Sequence, residues 1–174
     1  MFSYIYQFLV YLINSEMPDI KHIDLYNNQY DNLDESDPIP YPSILIEIEP
    51  LDIYQHTQKL QKLDIRINLY LATEFMTGIR ANDSQYNKSL EHLLLLDRVF
   101  KYIENKCNND IPDDIKSTQF EIGTLHRNGI ELIKGYNSVK ITKTSFICKF
   151  ADASAYPVYT TTNLTDIETT IEII

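Results

Sequence analysis

The chain has 174 residues, of which 44% are hydrophobic and 23% are charged, and this size and composition suit one domain with one core. Its 25 acidic and 15 basic residues leave a formal net charge of −10, and the bases do not gather into a stripe. Because nucleic-acid affinity comes largely from basic side chains that displace counterions, this charge argues against binding through phosphate contacts. The four glycines are scattered, which excludes the glycine-rich loops that hold nucleotides.

The first thirteen residues, MFSYIYQFLVYLI, predict an apolar helix that ends before Pro18. Its polar residues Ser3, Gln7 and Asn14 form one narrow strip, so most of its circumference requires cover. The apolar run is shorter than the ~20 residues of a membrane span, and neither a leading base nor a small-residue cleavage site accompanies it. We therefore expect no membrane association, and a helix that packs on its own domain or on a neighbouring subunit.

Three strands are predicted in the first half of the chain. A short strand lies within residues 20–26, and the run SILIEIE at 43–49 forms a second. Between them, residues 27–42 are acidic and rich in proline, which predicts a long loop. The third strand, 61–73, alternates strictly, so that Leu63 to Leu71 form one dry face opposite a wet face.

The second half begins with a polar loop at 74–87 that contacts partners or is mobile. A helix follows, with a broad apolar face between Leu90 and Ile103, and it is expected to end near Asn108. Then come a strand near 118–125, a turn around Asn128 and Gly129, and a long last strand at 139–150. In that last strand Ile141 has the opposite parity to Phe146, which indicates a bulge or burial on both sides.

These elements predict an α+β fold, in which an antiparallel or mixed sheet packs against the long helix and an N-terminal helix precedes it. Residues 1–152 form one domain, and residues 153–174 form an extended C-terminal arm. Ile167, Ile171 and Ile173 lie at even spacing in this arm, which favours a strand. Such a strand either caps an edge of its own sheet or is lent to another chain, and disorder is a third alternative.

No motif in the sequence carries a reaction. The histidines stand alone, and Cys107 and Cys148 form no CxxC pair, so we expect reduced thiols and no metal site. No serine lies in a G-x-S-x-G elbow. We therefore predict no catalytic residues, no cofactor and no enzymatic activity. The loop acids lack the spacing of a calcium loop and indicate a solvated segment; they are Asp31, Asp34, Glu35 and Asp37.

The succession of a first helix, IKHIDLYNNQY, PIPYPSILIEIE, QKLDIRINLYLATE and SLEHLLLLDRVFKYIE, followed by two strands, resembles the tail-terminator and tail-completion proteins of tailed bacteriophages. The likeness covers roughly residues 3–152 and is carried by the order of elements and not by catalytic residues. It implies a structural virion protein without enzymatic activity, assembled in the host cytoplasm and located in the phage neck or tail. It further implies a homo-oligomeric ring, sixfold or twelvefold, that contacts neighbouring neck, tail or portal proteins.

Genomic DNA passes through such a ring without specific binding. A net charge of −10 on each subunit agrees with this role, because an acidic lining repels moving DNA. A portal-proximal head–tail connector ring is the alternative within this class, and a monomeric acidic binding or inhibitor module is the alternative outside it. The residues expected to make contacts or line the lumen are Asp31, Asp34, Glu35, Asp37, Glu74, Arg80, Asp83, Ile167, Ile171 and Ile173.

Overall fold

The computed structural model describes residues 1–30, 39–57, 60–74, 86–133 and 139–154, without the side chains of 55–57 and 86–89. Within these ranges the chain is a mixed α+β fold with two α-helices and a six-stranded sheet, which confirms the predicted class. All of the C-terminal arm except Ala153 and Ser154 lies outside the described residues. The elements are α1 (Phe2–Glu16), β1 (His22–Leu25), β2 (Ser43–Thr57), β3 (Leu60–Glu74), α2 (Tyr86–Ile103), β4 (Phe120–Ile122), β5 (His126–Ile133) and β6 (Val139–Asp152), with a short 3-10 helix at Asn108–Asp110.

The sheet is built around the long β2–β3 hairpin and β6. Its strand order is β1-β2-β3-β6-β4, and β5 also pairs with β6. β1 runs parallel to β2, whereas the other pairs are antiparallel. The register of β3 against β6 runs without a shift from Gln61 opposite Asp152 to Glu74 opposite Val139. β4 and β5 thus lie one after the other along the same side of β6.

The main hydrophobic cluster contains residues of one sheet face and of both helices. The predicted dry face of β3 is confirmed, because the side chains of Leu63, Ile65, Ile67, Leu69 and Leu71 are all buried. Helix α1 adds apolar residues at helical spacing, among them Ile5, Phe8, Leu9 and Leu12, while its polar strip Ser3, Gln7 and Asn14 is exposed as predicted. Helix α2 adds Leu95, Val99 and Ile103 to the same cluster.

The two helices are joined at the end of α1. One guanidinium nitrogen of Arg98 on α2 pairs with the carboxylate of Asp19, and the other donates to the carbonyl oxygen of Glu16 at 2.9 Å. A cation at the C-terminal end of a helix is favourable because the last carbonyl groups lack partners within the helix. Arg98 therefore holds the end of α1 against α2.

The opposite sheet face is not uniformly wet, and here the expectation for β3 is wrong. Asn68, Tyr70 and Ala72 are buried on it, and Ile141 of β6 joins them. Ile141 is thus a case of burial on both sides of β6 and not of a bulge against β3. Segments flanking the acidic loop provide the cover: the rings of Tyr26 and Tyr70 stack with centroids 4.0 Å apart, and the Tyr30 hydroxyl lies 3.0 Å from Ser43 Oγ.

Several predicted boundaries are corrected by tertiary pairing. β2 continues to Thr57 through a register shift after Pro50, since β3 offers partners along its whole length. Helix α2 ends at Ile103, earlier than expected, and Asn105 adopts a left-handed backbone with φ 65°. The predicted turn at Asn128 and Gly129 is wrong: both residues lie inside β5, where a register shift against β6 accommodates them.

Candidate functional site

Most of the predicted contact residues lie outside the described residues. Asp31, Asp34, Glu35 and Asp37 fall in the gap 31–38, Arg80 and Asp83 fall in the gap 75–85, and Ile167, Ile171 and Ile173 fall in 155–174. These nine residues remain predictions, and only the tenth, Glu74, lies within the described part of the chain.

Glu74 is the last residue of β3 and is exposed. It lines a small polar recess of about 100 Å³ together with Lys21, Tyr41 and Glu91. Burial, with a contribution from the negative charge of Glu74, raises the pKa of the Tyr41 hydroxyl. The recess is too small for more than a few water molecules, so Glu74 contributes surface charge and not a binding pocket.

A ladder of polar side chains crosses β2, β3 and β6 on the sheet face away from the helices. Glu47 Oε2 accepts hydrogen bonds from Asn68 Nδ2 at 2.9 Å and from the Tyr70 hydroxyl at 2.7 Å. Asn68 Nδ2 also donates to Glu49 Oε1 at 3.1 Å, and Asn68 Oδ1 accepts from Ser145 Oγ at 2.7 Å. The amide of Asn68 thus has its donors and its acceptor occupied, which rigidifies this part of the sheet.

The charges in this ladder are stabilised in place. Burial opposes ionisation of Glu47, but hydrogen bonds from Tyr70 and Asn68 and the positive charge of Lys143 outweigh it and lower the Glu47 pKa. The pKa of Tyr70 is raised by burial and by its hydrogen bond to Glu47. Neither group is therefore prepared for proton transfer near neutral pH. The ladder acts as structural support for the sheet.

His92 of α2 is buried and contacts two strands of the sheet. Its Nδ1 lies 2.8 Å from Thr73 Oγ1, and its Nε2 lies 2.7 Å from Thr142 Oγ1. Burial, with a smaller effect from the charge of Lys140, lowers its pKa to about 4. A neutral imidazole with both nitrogens occupied holds α2 to β3 and β6.

Exposed apolar side chains of α2 and β5 lie near one another, and we call the surface that they form the α2–β5 groove. Leu93, Leu96 and Phe100 follow one side of α2 at helical spacing, and Ile130 and Leu132 follow β5. Leu93 is 46% exposed, Ile130 is 54% exposed and Leu132 is 66% exposed. Large apolar side chains gathered at a surface mark an interaction site more often than isolated ones do.

Two contacts place these residues beside one another. At one end, the guanidinium of Arg127 on β5 lies 4.3 Å from the ring centroid of Phe100. At the other end, His92 contacts Thr142, which is paired in register with Leu132. Thr142 and Thr144 are buried on the helix-covered face, so their partners Leu132 and Ile130 face the same side.

The groove also follows a free sheet edge. β5 pairs with β6 on one side, and no strand among the described residues pairs with its other side. A free edge presents unpaired backbone groups to which another strand can be added. Sequence reasoning missed Ile130 and Leu132 because Asn128 and Gly129 resemble a turn; the alternation in GIELI was the available signal.

A second open surface lies along α1. A shallow recess of about 560 Å³ is lined by Tyr6, Val10 and Tyr11 of the helix and by Asp114 and Ile115 of the segment before β4. Helix α1 is therefore covered on its core side by its own domain and keeps a partly aromatic outer side. This outer side is a second candidate for contact with another chain.

No group of three or more His, Cys, Asp or Glu side chains in the described ranges is arranged to hold a metal ion. Neither α1 nor α2 as described is long and apolar enough to cross a membrane. No protein-family model and no curated protein sequence matches this chain. The candidate functional surfaces are the α2–β5 groove and the outer side of α1.

Proposed function

We propose that the chain is a structural protein of the virion of a tailed bacteriophage, where copies assemble into a ring in the neck or tail. The observation that carries this proposal is the α2–β5 groove on a free sheet edge, because it offers both apolar area and backbone groups to another chain. In this role the protein terminates or joins the tail and performs no bond-making chemistry.

Two further features support assembly. The outer side of α1 carries Tyr6, Val10 and Tyr11 around an open recess. The α2–β5 groove and this recess are different patches of one chain. Contacts between unlike patches join copies head-to-tail. Such copies form a closed ring when a whole number of them completes one full rotation. We also propose the two finer features of the predicted fold, a long helix that packs on the sheet and an extended C-terminal arm.

The charge of the chain supports passage of DNA without binding. Each copy carries a formal net charge of −10, and a ring multiplies it. DNA bears one negative charge per ~1.7 Å of helix axis, so an acidic lumen repels it and does not retain it. The ladder at Glu47 and Glu49 keeps two of these carboxylates in fixed positions.

The position of the ring has two candidates. A tail terminator contacts tail proteins, and a head–tail connector contacts the portal. A sixfold ring supports the terminator and a twelvefold ring supports the connector.

Native mass spectrometry across a range of protein concentrations tests assembly, and electron microscopy of the same samples gives the symmetry. Peptide mass spectrometry of virus particles from the cells that carry the gene tests its location. We expect a closed ring in solution and the chain in particles. A monomer at every concentration, together with absence from particles, would refute the proposal and favour the monomeric acidic module.

A further inference from the structure

We infer that the α2–β5 groove receives the C-terminal arm of a second copy of this chain as an added strand beside β5. This inference rests on the proposed ring and names the contact that would join its subunits. It differs from the ring proposal in one respect that an experiment can separate: a ring could also form without the arm, through contacts that include the outer side of α1.

The groove fits the arm in its chemistry. In the arm, Ile167, Ile171 and Ile173 fall on one side of an extended strand, and Asp166, Glu168 and Glu172 fall on the other. Beside β5, the isoleucines would cover Ile130 and Leu132 on the helix side. The acids would then lie on the sheet face that carries Glu131 of β5 and, one strand further, its in-register partner Lys143.

The other free edge of the sheet suits the arm less well. β2 beyond Ile46 has no partner on its outer side among the described residues, and Ile53 there is 64% exposed. That stretch contains Pro50 and two register shifts, which interrupt strand addition. It also carries three acids, Glu47, Glu49 and Asp52, and therefore repels an acidic arm more strongly than β5, which carries the single acid Glu131. β5, by contrast, keeps an unbroken register from Gly129 to Ile133.

The arm is long enough to reach a neighbour. The described chain stops at Ser154, beside β4, and 20 residues follow it. Extended at about 3.3 Å per residue they would span roughly 65 Å, more than the ~40 Å width of a domain of this size. β6 and β5 are antiparallel, so an arm that passed directly from Ser154 onto its own β5 would run parallel to it. A neighbour's arm is free to pair antiparallel, which is the more stable arrangement.

Cysteine cross-linking between differently tagged chains tests the inference. Leu132→Cys is placed in one chain and Ile167→Cys, Ile171→Cys or Ile173→Cys in the other. Both chains carry Cys107→Ser, since the remaining Cys148 is buried. Ile53→Cys replaces Leu132→Cys as the control, because the two native side chains are equally exposed. We expect a disulfide between the chains at position 132 and none at position 53.

A bridge at position 53 instead, or at neither position, would overturn the inference. Native mass spectrometry of Leu132→Asp and Ile130→Asp separates it from the ring proposal. We expect assembly to weaken at least tenfold in each, because a large apolar contact is lost, while Ile53→Asp assembles like wild type. Rings that persist in Leu132→Asp would refute arm docking and leave the ring proposal standing, whereas a monomeric wild type would refute both.

Discussion

Stability of the fold below neutral pH depends on His92. This side chain is only 3% exposed, and both ring nitrogens contact threonine hydroxyls. Its pKa falls from an ordinary 6.5 to about 4, mainly through burial. Because the folded state disfavours the protonated ring, stability is full above the unfolded pKa and is lost as the pH falls from about 6.5 toward 4.

The loss follows from the two pKa values. When the pH falls from about 7.5 to 5.5, this imidazole becomes protonated in the unfolded chain but not in the folded chain, which lowers the free energy of unfolding by about 1.4 kcal/mol. Below pH 4 the total decrease in the free energy of unfolding approaches about 3 kcal/mol. In His92→Gln this contribution disappears, because a glutamine amide does not titrate. We expect the variant to be less stable than wild type at pH 7.5 and the difference to narrow by about 1.4 kcal/mol at pH 5.5.

Urea unfolding followed by circular dichroism at the two pH values measures this narrowing. His126→Gln is the matched control, because His126 is exposed on β5, and it should follow the wild-type pH dependence. If wild type and His92→Gln lose equal stability between the two pH values, burial does not keep this ring neutral and the reasoning fails.

Three further predictions concern the sheet. A Cβ at Gly123 would lie 2.9 Å from the backbone oxygen of Lys149, so Gly123→Ala should lower the free energy of unfolding by about 1–3 kcal/mol. A Cβ at Gly129 would have no atom within 4 Å, so Gly129→Ala should change the free energy of unfolding by less than about 0.5 kcal/mol, and equal effects of the two substitutions in thermal unfolding would contradict the crowding at Gly123. Tyr70→Phe removes the 2.7 Å hydrogen bond to the half-buried carboxylate of Glu47 and should lower the free energy of unfolding in urea by about 1.5–3 kcal/mol. Tyr54→Phe removes a comparable hydrogen bond to Asp64 at an exposed site and should have little effect on this free energy. Asn68→Asp brings a third carboxylate beside Glu47 and Glu49 and should lower the free energy of unfolding by roughly 3 kcal/mol at neutral pH. Part of this stability should return near pH 4, because the carboxylates become protonated, and a variant with the same pH dependence of unfolding as wild type would argue against the ladder.

Local periodicity determined much of the secondary structure. The alternation of apolar residues from Leu63 to Leu71 predicted a strand with a dry face, because side-chain direction in a strand depends only on parity. The spacing of Ser3, Gln7 and Asn14 predicted the exposed strip of α1 for the same kind of reason. The α+β class followed from the order of these elements.

Properties that depend on pairing were decided by the tertiary structure alone. Asn68 and Tyr70 read as wet-face residues, yet β2 brings Glu47 against them and turns them into a buried ladder. Asn128 and Gly129 read as a turn, yet β6 supplies partners that keep the chain extended through a register shift.

The sequence by itself therefore determined most of the elements, although not β5, together with the acidity and the apolar alternation of the C-terminal arm, since these are properties of neighbouring residues. Only the tertiary structure decided that β5 has a single strand neighbour within the described part of the chain and that Ile130 and Leu132 are exposed beside α2. Exposure of an apolar residue depends on which distant segments cover it, and no local pattern contains that information.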